Sequence, residues 1–125
     1  MIADKQLAGH LHRNEAMWKV WQERGVTAET EIAVDFHFYA TKKPYIKRLV
    51  ESLHRTGFEI SVNITRTMLL FRAWEIEATE SGRWTLEGLQ QRTSELYGVA
   101  VKCGCSLEGL GAMMPTSHPG EGLLQ

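Results

Sequence analysis

Cysteine, proline and long apolar runs are all scarce in this sequence of 125 residues. It has two cysteines, Cys103 and Cys105, and three prolines. No stretch reaches the ~18 uncharged apolar residues that a membrane-spanning helix needs. Two cysteines cannot form the disulfide framework of a small secreted domain. The first residues lack a basic flank followed by an apolar run, so we expect no secretory signal and a cytoplasmic protein.

A charge excess of one sign is also missing. Fourteen Lys and Arg side chains against fifteen Asp and Glu give a formal net charge of -1. This excludes a polycation that coats nucleic acid, but it does not exclude a local basic patch. Because 43% of the residues are hydrophobic, the chain can bury a core, and we expect a single domain over residues 1–114. Residues 115–125 show no periodicity, and we expect a loose tail there.

Hydrophobic periodicity predicts three helices and four strands. Helical spacing of apolar residues predicts helices at residues 4–24, 41–56 and 86–97, with Thr41 and Thr85 as N-caps and Gly98 as the stop of the last helix. Alternation of apolar and polar residues predicts strands at residues 31–39, 58–64, 69–79 and 99–105, with a turn near 65–67 after the second strand and a break at Ser81-Gly82 after the third.

The order of these elements predicts the fold. After a first helix, the pattern strand-helix-strand occurs twice, which is typical of an α+β protein with a ferredoxin-like βαββαβ sandwich. We therefore expect a four-stranded antiparallel sheet with an extra N-terminal helix. Right-handed crossovers would place the first and third strands in the centre. Two helices would cover one face of the sheet, and the other face would be left to water, to the N-terminal helix or to a partner.

Charge is distributed unevenly over these predicted layers. The helix at residues 41–56 contains one acid, Glu51, and five cations, which are Lys42, Lys43, Lys47, Arg48 and Arg55. The outward strand positions carry carboxylates at Asp35, Glu59, Glu75 and Glu77. Two interpretations stay open, either two solvated faces or an acidic sheet face that docks a basic partner segment. Exposed charges of this kind set encounter rate and orientation more than affinity.

RNA-recognition modules have the same strand order, but they stack bases on aromatic residues of their central strands. Here the third strand presents Ala73, Glu75 and Glu77, whose carboxylates would repel phosphate. Only His37 and Tyr39 of the first strand could stack a base. The pattern disfavours direct RNA binding by the sheet and leaves the basic helix open as a separate RNA contact.

No catalytic or metal-binding signature is present. The sequence contains no P-loop, GxGxxG, HExxH or nucleophile elbow. Asp35, His37 and Glu75 could approach one another as a His–carboxylate site, which keeps a small-ligand or enzymatic domain as an alternative. Cys103 and Cys105 would put two thiols on one side of a strand, which is half of a zinc site, and no second pair follows. We expect no catalytic residue, metal or cofactor.

Several short motifs, in their order, resemble the regulator of ribonuclease E activity B (RraB) family. An N-terminal helix that ends at a glycine precedes EIAVDFHFY, then LHRTGFEISV, then a long strand and TLEGLQQRTSELYGVAV. In the family the last strand runs into an acid-Gly-aromatic-Gly segment, often YDGWG. Here Glu108, Gly109 and Gly111 match in kind, and Leu107 and Leu110 replace the aromatic residues. The resemblance covers about residues 14–114.

This resemblance implies a ferredoxin-like protein that inhibits ribonuclease E, and so RNA decay, by protein–protein contact without catalysis. Family members often have an acidic C-terminal tail, whereas residues 115–125 carry only Glu121. Docking to ribonuclease E or its degradosome would then use the sheet-face acids or the Gly109–Gly111 segment. A small RNA-binding or small-ligand-binding α+β domain is the alternative. The expected contact residues are Asp35, His37, Tyr39, Glu59, Glu75, Glu77, Glu108, Gly109 and Gly111.

Overall fold

Three helices and four strands alternate along the part of the chain that the computed structural model describes, residues 2–68 and 71–113. In chain order they are α1 (Ile2–Glu23), β1 (Glu31–Ala40), α2 (Lys43–His54), β2 (Glu59–Met68), β3 (Phe71–Arg83), α3 (Leu86–Cys103) and β4 (Ser106–Met113). The order predicted from periodicity is confirmed. Within these ranges, every helix is too short or too polar to cross a membrane.

The strands form one antiparallel sheet in the order β2-β3-β1-β4. β1 and β3 are therefore central, and the predicted ferredoxin-like α+β fold is confirmed. The pairing of β4 with β1 contains a bulge. Phe38 lies opposite Leu107, whereas His37 lies opposite Gly109, so Glu108 has no direct partner on β1.

One face of the sheet packs against α2 and α3 and forms the core. Along β1 every second side chain, from Ile32 to Ala40, is buried, as expected for a strand with one covered face. Helices α2 and α3 bury apolar side chains against these strands, namely Ile46, Leu49, Leu53, Leu89 and Leu96. Each such burial stabilises the fold by about 1.5–3 kcal/mol.

Helix α1 lies beside α3 and widens the helical layer. Its Asn14 is buried, and the Nδ2 of Asn14 donates to Gln90 Oε1 at 2.9 Å and to Thr93 Oγ1 at 3.0 Å. Gln90 Nε2 donates in return to the carbonyl of Leu11 at 2.9 Å. Asn14 interrupts the apolar stripe of α1 in the sequence because it is a polar anchor between two helices.

The prediction of a strand at residues 99–105 is wrong. Helix α3 continues past Gly98 to Cys103 and ends where Gly104 adopts a left-handed φ of 82°. Leu96, Ala100 and Cys103 are all buried at helical spacing, at i, i+4 and i+7. This burial outweighs the strand-like alternation of Val99 and Val101. The last strand follows at Ser106–Met113.

Other boundaries also differ from the prediction. β2 continues through the expected turn at 65–67, and β3 continues through Ser81-Gly82 to Arg83. The N-cap of α2 is Lys42, without a side-chain hydrogen bond, and not Thr41. Thr85 is confirmed as the N-cap of α3, since its Oγ1 accepts a hydrogen bond from Gly88 N at 3.0 Å. The expected loose tail lies outside the described residues.

Candidate functional site

The sheet has a second face, which no element covers within the described ranges. Because even-numbered residues of β1 point to the helices, its odd-numbered residues point the other way. The strand register then sets their neighbours on β3: Asp35 lies opposite Thr79, His37 opposite Glu77 and Tyr39 opposite Glu75. We call this surface the open face.

The structure places all of the predicted contact residues on the open face or at its β4 edge. Glu59 of β2 lies opposite Thr79, next to Asp35 across β3. On β4, Gly109 and Gly111 lie opposite His37 and Asp35. The strand register therefore brings residues of four strands to one surface, and they are Asp35, His37, Tyr39, Glu59, Glu75, Glu77, Glu108, Gly109 and Gly111.

Carboxylates dominate the charge of the open face. They belong to Asp35, Glu59, Glu75, Glu77 and Glu108. At one end of the face Glu31 lies opposite Arg83, whose guanidinium is 3.6 Å from Glu29. Among the side chains that the structure describes, those of residues 5–60 and 73–112, no Lys or Arg forms an ion pair with any of them. Their polar contacts are with uncharged or weakly basic groups, which leaves a concentrated negative potential on this surface.

Three of these carboxylates have specific neighbours. Thr79 Oγ1 donates to Asp35 Oδ1 at 2.7 Å, and Ser106 Oγ donates to Glu108 Oε2 at 2.8 Å. His37 Nδ1 lies 3.6 Å from Glu77 Oε2, and both side chains are more than 40% exposed. Such contacts orient the carboxylates without neutralising them.

A shallow pocket of about 230 Å³ opens on this face, lined by His37, Phe38, Tyr39, Glu75 and Glu108. It combines an aromatic ring with two carboxylates. Aromatic faces attract cations, and carboxylates accept charge-assisted hydrogen bonds from guanidinium and ammonium groups. The chemistry of this pocket fits a Lys or Arg side chain.

The predicted His–carboxylate site is assembled differently from the expectation. The carboxylate paired with His37 is Glu77, and Glu75 lies opposite Tyr39 instead. Asp35 lies two residues from His37 on the same strand, roughly 7 Å away, and it does not line the pocket beside His37. Within the described residues, no three His, Cys, Asp or Glu side chains form a group that could hold a metal ion. The arrangement suits charge recognition.

The two cysteines lie away from the open face. Cys103 ends α3 and Cys105 lies in the turn before β4, and both are buried free thiols. Burial, with a smaller effect of Cys103, raises the pKa of Cys105 to about 11. The thiol of Cys105 donates to the carbonyl of Tyr45 at 3.5 Å. A thiol that stays protonated is a poor nucleophile and a poor metal ligand, so Cys105 has a packing role.

The sequence did not indicate one further polar site, a groove of about 340 Å³ between α1 and β4. Glu108 lines both this groove and the pocket on the open face. In the groove, Arg13 Nη2 lies 2.9 Å from Nδ1 of the buried His10. Burial and then the charge of Arg13 lower the pKa of His10, against the opposing effects of the Leu107 carbonyl and Glu108. The i,i+3 spacing of His10 and Arg13 was visible in the sequence, but the position of α1 was not.

The order of elements, the strand order and the open face define a ferredoxin-like α+β protein with an acidic sheet surface. A family model described as Regulator of ribonuclease activity B matches residues 11–112. The chain belongs to this family, RraB, and the resemblance seen in the motif order is confirmed. The match runs from the middle of α1 to β4, so it includes both faces of the sheet. No curated protein matches the chain.

Proposed function

We propose that this protein is a non-catalytic, cytoplasmic regulator that binds and inhibits ribonuclease E through the open face. Membership of a family named for the regulation of ribonuclease activity supports the class of function. The observation that carries the proposed surface is the set of carboxylates that form no ion pair with a Lys or Arg whose side chain the structure describes. A surface of this kind favours a basic segment of the enzyme as its partner.

The shape of the open face suits an extended, positively charged segment. Gly109 and Gly111 present no side chains along β4, so a partner backbone can approach β1 and β4 closely. The pocket beside Tyr39 and Glu75 would take one Lys or Arg side chain. The remaining carboxylates would steer the encounter and fix orientation.

Inhibition then follows because the open face binds the basic segment of the enzyme. A segment held against the open face is no longer free to contact the phosphates of RNA. This mechanism needs no bond to form or break in the regulator, and it agrees with the lack of catalytic motifs in the sequence. It also implies that inhibition weakens with salt, because exposed charges are screened over about 10 Å at 0.1 M ionic strength.

Calorimetric titration of purified ribonuclease E with the full chain tests this proposal. Replacing both Glu75→Lys and Glu77→Lys should weaken binding about tenfold or more at low salt, because it sets like charges against each other. The matched control is Glu15→Lys with Glu23→Lys, which makes the same change in net charge on exposed positions of α1. Equal affinity of the two double variants would reject the open face, and no binding by the wild type at low salt would reject the partner.

A further inference from the structure

Positive charge collects on the side of the molecule opposite the open face. Helix α2 buries Ile46, Leu49 and Leu53 toward the sheet, so its other side points to solvent. That side and the two caps of α2 carry five exposed cations, which are Lys42, Lys43, Lys47, Arg48 and Arg55. We call this surface the basic helix face.

The cations of the basic helix face are not neutralised. With the side chains that the structure describes, those of residues 5–60 and 73–112, none of the five forms an ion pair. The only acid of α2 is Glu51. In a chain with a net charge of -1, such a concentration of unpaired positive charge is a local property of this surface, and it attracts polyanions.

An aromatic ring lies among these cations. The ring centroid of the half-buried Tyr45 is 5.8 Å from Lys42 Nζ and 6.0 Å from Arg48 Cζ. The ring packs closely against Gly104, since a Cβ at position 104 would lie 3.0 Å from ring atoms. A ring held in place between two long, flexible cations is the combination by which single-stranded nucleic acids are bound, with a base on the ring and phosphates on the cations.

We propose that the basic helix face binds single-stranded RNA, without sequence specificity. Charge alone would equally fit an acidic polypeptide, but the ring of Tyr45 favours a ligand that has bases to stack. The family is named for the regulation of ribonuclease activity, and the substrate of a ribonuclease is RNA. Because the basic helix face and the open face lie on opposite sides of the sheet, RNA and a protein partner can be bound at once.

The affinity should depend steeply on salt. Three to five phosphate contacts give a slope of log K against log salt of about -2 to -3.5 for a single strand. At a slope of about -3, binding weakens roughly 60-fold between 50 and 200 mM salt. Removing two contacts should make the slope about 1.4 shallower.

Fluorescence anisotropy with a labelled 12-nucleotide oligouridylate and the full-length protein tests this proposal in the absence of any ribonuclease. The variant Lys47→Gln with Arg48→Gln should bind about tenfold more weakly, with the shallower slope. The control Lys19→Gln with Arg24→Gln, which removes the same charge from exposed positions outside α2, should bind like the wild type. Circular dichroism verifies that each variant is folded.

Several outcomes would overturn the proposal. Absence of binding by the wild type at 50 mM salt rejects the site, and equal weakening by both double variants shows that only net charge matters. Tighter binding of oligoglutamate than of oligouridylate identifies an acidic polypeptide as the ligand. Binding of inorganic polyphosphate as tight as that of RNA, with no loss in Tyr45→Leu, removes the role assigned to the ring. None of these results depends on whether ribonuclease E binds the open face.

Discussion

Replacement of Asn14 by Ala should detach α1 from α3 in part. In the structure the single Nδ2 group of Asn14 donates to Gln90 Oε1 and to Thr93 Oγ1, at 2.9 and 3.0 Å. Asn14 is only 3% exposed, so water does not replace these bonds at the helix interface. The hydroxyl of Thr93 keeps its own bond to the carbonyl of Leu89, at 2.8 Å.

The size of the effect follows from these contacts. Each hydrogen bond contributes about 0.5–1.5 kcal/mol net, so Asn14→Ala should lower the free energy of unfolding by about 2 kcal/mol. A chain of 125 residues has an unfolding entropy of about 0.26 kcal/mol per kelvin. The melting temperature should therefore fall by about 8 °C.

Thermal and denaturant unfolding, followed by circular dichroism, measure this loss. Asn14→Asp should cost more than Asn14→Ala at pH 7, because it places a carboxylate against the acceptor Oε1 of Gln90 in a buried site. Glu15→Ala, an exposed neighbour, should stay within about 0.5 kcal/mol of the wild type. A loss below 0.5 kcal/mol for Asn14→Ala, or an Asp variant as stable as the Ala variant, would refute the anchoring role.

Three further changes have defined expectations. Gly104→Ala places a side chain at a backbone φ of 82° and against the ring of Tyr45. The free energy of unfolding, measured by denaturant titration, should fall by about 2 kcal/mol. Glu80→Gln weakens the two-bond pair with Arg92, at 2.8 and 2.9 Å, and should lower stability by about 1 kcal/mol, less so at high salt. His10→Gln should reduce the loss of stability in acid. Because the pKa of His10 is lowered in the folded state, only the unfolded state gains a proton just below pH 6.5, and the free energy of unfolding of the wild type falls there.

Each of these changes has a matched control. Gly98→Ala lies inside α3 in open space and should stabilise the fold by about 0.5–1 kcal/mol, so a loss equal to that of Gly104→Ala would contradict the role of the turn. Glu95→Gln weakens a single bond to Arg92 and should cost less than Glu80→Gln. For His10→Gln the matched substitution is His12→Gln, at an exposed position of the same helix, and an equal reduction of the acid loss by both variants would refute the assignment to His10.

The topology was predictable because its signals are long and mutually consistent. Alternation over nine residues predicted β1 to within one residue, and the order of elements then predicted the central strands. The prediction of a strand at residues 99–105 failed because a short run of Val and Cys fits both a strand and a buried helix end. Helix α3 ends at the left-handed Gly104. The close approach of Tyr45 to this glycine comes from another helix, so no local pattern could reveal that contact.

The side-chain alternation of β1 was enough to predict which residues share the open face, but the contacts between them were not predictable. A strand alternates its side chains, so Asp35, His37 and Tyr39 had to share a face. The choice of Glu77 as the partner of His37 depends on the register between β1 and β3. The bulge that brings Glu108 to both the pocket and the groove is a property of strand pairing, which the sequence does not encode locally.

Segregation of charge onto two opposite sides makes the molecule an electric dipole in spite of its small net charge. At low ionic strength the acidic end of one molecule attracts the basic end of the next, and light scattering should report net attraction in concentrated solution. Added salt screens this attraction beyond about 10 Å at 0.1 M. We therefore expect solubility to rise with the first increments of salt.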